Sequence, residues 1–228
     1  MKNVSQNFMK LPLLILQLFY CSFCFGQSQD EKYILSGTCD CYTKTKSIEI
    51  DINLQCLSKT FKSGKFSIYI KKQAALRKKP VNFETGLIIG EELLHRNQIY
   101  FINTCDEFRR LVDSARLGPF ITIKIDSGMH NLEILNRISS DKRDIDFFKR
   151  RGYFHLIVQN LDSAKKDFDS AISIGDNTPQ TLYYKAIAFE FQKKYEEAIL
   201  IYSKLARITK NDLYKLCAAS ANKKKNGT

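Results

Sequence analysis

Tryptophan is absent from the chain, so 16 phenylalanines and 11 tyrosines supply its bulky core material. Histidine is scarce: only His95, His130 and His155 occur, and none has an acidic or nucleophilic partner at a recognisable catalytic spacing. His95 closes a helix-like segment, where a cation suits the helix dipole. His130 lies in a Gly-Met-His-Asn stretch, and His155 falls where a large inward residue is wanted. No glycine-rich phosphate loop, HExxH or GxSxG occurs, which removes the P-loop, zincin and serine-hydrolase signatures. The carboxylate pairs Glu91–Glu92 and Glu196–Glu197 are adjacent in sequence, hence on different parts of a helix surface, and read as solvated faces. No catalytic constellation can be assembled, and an enzyme, a cofactor or a metal is not expected.

A long apolar run is also missing. Leu11 to Phe25 is apolar over 15 residues, interrupted by Pro12 and Gln17, whereas a spanning helix needs about 20. Lys2 and Lys10 precede it and Gly26-Gln27-Ser28 follows, which is the pattern of a signal peptide over residues 1–26. A buried N-terminal helix or an uncleaved anchor is the rival reading. Lipidation at Cys21 or Cys24 is disfavoured, because Tyr20 and Phe23 occupy the small-residue position before each cysteine. The expectation is export to a periplasmic or extracellular compartment.

Composition is ordinary for a globular protein, with 44% hydrophobic and 26% charged residues in 228. In an oxidising compartment Cys39, Cys41, Cys56 and Cys105 are disulfide candidates. Cys39 and Cys41 are too close to bridge, leaving one for Cys56 and the other for Cys105, in an order the spacing does not fix. A metal site on Cys39-Asp40-Cys41 is the weaker reading, since zinc thiolates are usually two to four residues apart and no histidine is near. Cys217 remains, as a small apolar side chain of a terminal helix.

Net charge is +12. The excess is local, at Lys71, Lys72, Arg77, Lys78 and Lys79 and at Lys223 to Lys225, while residues 145–212 carry 11 basic and 9 acidic side chains. Such runs can meet anionic surfaces; nucleic acid is not expected as a partner of an exported protein.

Internal repetition carries the strongest signal. An offset of 34 residues takes Phe148 onto Leu182, Gly152 onto Ala186, His155 onto Phe189, Leu161 onto Tyr195, Ala164 onto Ala198, Phe168 onto Tyr202 and Ile174 onto Ile208. Large residues land on large and small on small, as two antiparallel helices per unit require where they cross closely. Asn160-Leu161-Asp162 and Lys194-Tyr195-Glu196 are turns; Asp162 and Asn177 are expected N-caps, and Gly175 a helix stop. This pattern over 145–210 resembles two tandem tetratricopeptide repeats (TPRs). Ala171 becoming Leu205, and Asp176 standing where proline is usual, depart from the family pattern. Residues 211–222 continue the period with Leu216 and Ser220 and are expected to form a capping helix, followed by a frayed basic tail at 223–228.

Before the repeats, residues 27–35 read as a loose leader and 36–140 as a cysteine-containing module. Ile48–Ile52, Phe66–Ile70 and Ile121–Ile125 alternate like strands, whereas Glu84–His95 and Asn103–Leu117 read as helices, the second capped by Thr104 or Asp106. Cys39-Asp40-Cys41, Cys56, Gly86-x-x-x-Gly90-x-x-Leu93 and Cys105-x-x-Phe108-x-x-Leu111 together resemble a helical module of secreted proteins from Bacteroidota-type bacteria. The expected fold is therefore mainly α: a helical module allowing two or three short strands, then two helix-turn-helix repeats and a cap.

The TPR resemblance implies a concave groove that holds a polypeptide, lined by Lys149, Tyr153, Leu156, Tyr183, Ile187 and Glu190. Packing of the same residues against the N-terminal module is the competing reading. The alternative function is an envelope-structural or surface-associated protein whose basic segments contact anionic lipid or polysaccharide, a peripheral membrane contact.

Overall fold

The computed structural model describes residues 28–45, 56, 64–122 and 125–227. Among them the chain is helical throughout, without a strand: α1 (Gln29–Thr45), α2 (Gly64–Leu76), α3 (Phe83–Arg96), α4 (Gln98–Thr104), α5 (Asp106–Thr122), α6 (Ile125–Asn136), α7 (Ile145–Ile157), α8 (Leu161–Ser173), α9 (Pro179–Phe191), α10 (Tyr195–Thr209) and α11 (Asp212–Lys225), with a 3-10 turn at Ser140–Lys142. The expected signal peptide and the alternating segment Ile48–Ile52 lie outside the described residues.

Within the leader expected at 27–35, residues 29–35 are instead the first turns of α1. The Ser28 hydroxyl accepts the Glu31 amide at 3.1 Å, and Asp30 and Glu31 oppose the positive end of the helix. Phe66–Ile70 is helix and not strand: Phe66, Tyr69, Ile70 and Ala74 are buried at helical spacing while Ile68 points outward. Ile121 and Ile125 likewise belong to helices, at the end of α5 and the start of α6. A stripe of Ile34, Leu35, Cys41 and Tyr42 on α1 packs with Phe66, Ile70, Leu93, Phe101 and Leu111 into one core. Two disulfides staple it, Cys39 to Cys105 and Cys41 to Cys56, with Cα separations of 5.7 and 5.4 Å. Thr104 does not cap α5; its hydroxyl turns back to the Tyr100 carbonyl at 2.8 Å, and Asp106 stands in the helix's first turn.

The four helices α7 to α10 form two hairpins. The first helices run from 145 to 157 and from 179 to 191, both shifted by 34 residues, and the second helices begin 34 apart at Leu161 and Tyr195. The turns repeat bond for bond. Gln159 and Lys193 both adopt φ 60°, the Asn160 amide donates to the His155 carbonyl at 2.8 Å, and the Lys194 amide donates to the Phe189 carbonyl at 2.9 Å. Neither residue at the left-handed position is glycine, which costs about 1 kcal/mol each. Gly152 is small because a Cβ there would stand 2.7 Å from the Phe168 ring. In the second hairpin Ala186 and Tyr202 take the corresponding places, both fully buried.

The caps differ from expectation at the starts of α8 and α9. Asp162 lies in the first turn of α8 and not at its N-cap, which is Asn160. The N-cap of α9 is Thr178 and not Asn177, and the Asp176 carboxylate accepts the Thr178 amide at 2.9 Å and the Thr181 hydroxyl, tying down the start of the helix. Gly175, at φ 109°, ends α8 as expected. Helix α11 covers α10 with Leu216, Cys217 and Ala221 and also packs on α4. The basic tail is not frayed at Lys223 to Lys225; these lysines are helical, and Lys224 bridges two carboxylates at 2.7 Å each.

Candidate functional site

The first helices of the hairpins turn their inner faces to one element, α5. Its spacing of apolar positions places Leu117 and Phe120 on the side facing Leu156, Ile157, Ile187 and Ala188, where all of them are buried together. Phe120 sits edge-on to Tyr153 and Tyr184, both at 5.7 Å between ring centroids, an arrangement favoured by the ring quadrupoles. Beside this aromatic wall Arg116 reaches across to Glu190 with two parallel hydrogen bonds of 2.8 and 2.6 Å.

The pair stands in a larger charge cluster. Asp113, one turn before Arg116, accepts from it at 2.6 Å and from the Ser220 hydroxyl at 2.8 Å. The Tyr202 hydroxyl donates to Glu190 at 3.0 Å, and Lys224 lies against both Asp113 and Glu190. Two cations therefore meet two carboxylates, contributed by α5, α9 and α11. Burial raises the Glu190 carboxyl, but Arg116 and Lys224 outweigh it and hold the group below the usual carboxylate range. Asp113 is likewise raised by burial and lowered further by Arg116 and Lys224. Burial, more than the neighbouring charges, pushes the Cys217 thiol up to about 11, which disfavours the reactive thiolate.

The six residues expected to line a groove fall into three settings. Leu156 and Ile187 are fully buried, and Glu190 is 4% exposed, so none of the three presents a free surface. Tyr153 and Tyr183 are half-buried, the first against Phe120 and the second between Tyr202 and Tyr214. Lys149 stands at the rim, 3.8 Å from Asp176. Five of them thus lie in or against the packing that α5 makes with the hairpins.

Sequence reasoning passed over Arg116, Asp113 and Lys224. Asp113 and Arg116 carry the three-residue spacing of a helical ion pair, which on its own does not distinguish a solvated pair from a buried one. Lys224 sits in a lysine run that reads as tail.

The histidines lie elsewhere. His95 and His130 are exposed, the former 3.6 Å from Asp212. His155 is 3.8 Å from Asp167, a carboxylate already paired with Arg151, and burial lowers its pKa. No group of three or more His, Cys, Asp or Glu side chains among the described residues is placed to hold a metal ion. No helix among them is long and apolar enough to cross a membrane. No protein-family model, curated protein or solved structure matches the chain.

Proposed function

We propose that this chain is an exported, TPR-like scaffold whose repeat face holds a helical polypeptide bearing an arginine followed by apolar residues one and four positions on. The observation that carries the reading is the seating of Arg116, Leu117 and Phe120 across the inner faces of both hairpins. A face that holds one helix by a bidentate ion pair and an aromatic wall has the chemistry to hold another of the same signature. In cis this face fastens the cysteine module to the repeats. In trans a partner helix competes with α5 for it. The 34-residue identity of the two turns supports the repeat reading, and the two disulfides support a life in an oxidising compartment.

Co-purification tests the proposal. Phe120→Ala empties part of the aromatic wall without stranding a charge, and the reading expects it to enrich protein partners from the envelope fraction relative to the wild-type chain. A peptide of residues 106–122 should then displace them. An unchanged partner set, or one the peptide leaves in place, contradicts the proposal.

A further inference from the structure

The turn between α2 and α3 lies far in sequence from the repeat face and gathers large apolar side chains in the open. Leu76, Val81 and Phe83 are 77%, 57% and 80% exposed, within eight residues of chain. Large apolar side chains this open are ordinary when scattered and informative when gathered on one turn. The same stretch is strongly cationic. From Gly64 to Phe83 there are six cations, Lys65, Lys71, Lys72, Arg77, Lys78 and Lys79, and no acidic residue. Lys72 is paired with Asp30 and Arg77 with Glu92, while Lys71, Lys78 and Lys79 project without a carboxylate partner among the described residues.

The turn is also rigid. Lys78 adopts φ 54°, the Lys79 amide donates to the Ala74 carbonyl at 2.9 Å and the Lys78 amide to the Ala75 carbonyl at 3.1 Å, which closes α2 in a Schellman motif. Four residues later the Asn82 side chain accepts the Thr85 amide at 2.8 Å and fixes Phe83 at the first position of α3. Pro80 restricts the backbone between the two caps. Leu76 and Phe83 are therefore held out before anything binds, so little ordering entropy opposes their burial.

We infer that the α2–α3 turn is a docking site for an anionic lipid bilayer, with Leu76, Val81 and Phe83 entering the headgroup–acyl boundary and Lys71, Lys78 and Lys79 resting on lipid phosphates. Apolar tips ringed by cations fit such an interface, where each part supplies what the other lacks. A soluble acidic protein would satisfy the lysines but would have to cover a protruding phenylalanine at the tip of a turn. The basic C-terminal helix end does not share this role, since Lys224 and Lys225 are engaged with Asp113, Glu190 and Glu196.

Vesicle flotation tests the assignment, with the full chain as wild type, Leu76→Ser/Phe83→Ser and Lys78→Glu/Lys79→Glu. All three carry the same N-terminal apolar run, so its contribution is common to them. All altered side chains are exposed, and circular dichroism with disulfide mapping checks that each variant is folded. Vesicles of phosphatidylcholine with and without phosphatidylglycerol are compared at low and high salt. We expect wild-type partitioning onto the anionic vesicles to exceed that of the lysine variant by about tenfold or more, from roughly fivefold per surface lysine, and that of the apolar variant by about tenfold or more, from the lost burial of two large side chains. It should also weaken steeply with salt. Equal partitioning of the three proteins, binding indifferent to the anionic lipid, or no binding at all overturns the assignment.

Discussion

Arg116 and Glu190 show how a single buried pair is worth more when broken than when formed. Both side chains are almost wholly removed from water, at 3% and 2% exposure, and each needs the other's hydrogen bonds. Glu190→Ala leaves the guanidinium with Asp113 as its one carboxylate and the Tyr202 hydroxyl beside it, and should cost about 3 kcal/mol, a fall of roughly 6–12 °C in the thermal midpoint of a chain this long. Replacing both partners, as Arg116→Met/Glu190→Leu, removes the stranded charge and should recover more than half of that loss. A midpoint for Glu190→Ala indistinguishable from wild type would show that the pair is solvated.

The same cluster sets an acid limit. Glu190 and Asp113 have folded pKa values below the ordinary 4.3 and 3.9 or so of free carboxylates. Because the folded values are depressed, their stabilisation is fully present above the ordinary values and is lost as pH falls through the folded ones. Denaturant unfolding at pH 7, 5, 4 and 3 should show a steep acid limb in the wild type and a flatter one in Asp113→Asn/Glu190→Gln. Parallel limbs would place the acid sensitivity elsewhere.

At the scale of elements, the hairpins owe their form to a few sizes at fixed spacing. Gly152→Ala drives a methyl into the Phe168 ring and should cost on the order of 1–3 kcal/mol. Adding Phe168→Leu should return part of it, and the pair of thermal melts reads the coupling. Additive losses would mean that the two do not touch. These contacts were legible because period and volume are written in the chain: Gly152 against Phe168 needs only a small residue sixteen before a large one. The strand-like alternation at Phe66–Ile70 resolves to helix for an equally physical reason. In Phe66-Ser67-Ile68-Tyr69-Ile70 the alternation is real, but the core takes Phe66, Tyr69 and Ile70 and leaves Ile68 in water. Alternation over five residues is satisfied by either period, and packing against α1 decides between them. The site was the least legible part. Leu156, Ile187 and Glu190 follow from the repeat register, but Arg116, Leu117 and Phe120, which pack on them, lie far upstream, 74 residues in the case of Arg116 and Glu190, and no local pattern connects the two.

For the whole molecule, one consequence follows from α5 serving both halves. Its first residues belong to the disulfide-stapled core through Leu111 and the Cys105 bond, and its last to the repeat face through Leu117 and Phe120. The helix is a shared spine, and loosening it from the repeats exposes the face without unmaking the staples. The α2–α3 turn is in the module and shares no residue with the repeat face, so the two proposed contacts would not compete for the same side chains. The proposed function depends on the repeat face being a holder of helices. Titration of a labelled peptide of residues 106–122 into the full chain carrying Leu117→Ala/Phe120→Ala measures that property directly, beside a peptide with Arg116→Glu and beside the wild-type chain. The account predicts saturable binding of the native peptide to the opened chain, at least about tenfold tighter than the charge-reversed peptide, and no binding to the wild type, whose face is filled. Equal affinity for the two peptides, or none for either, would contradict it.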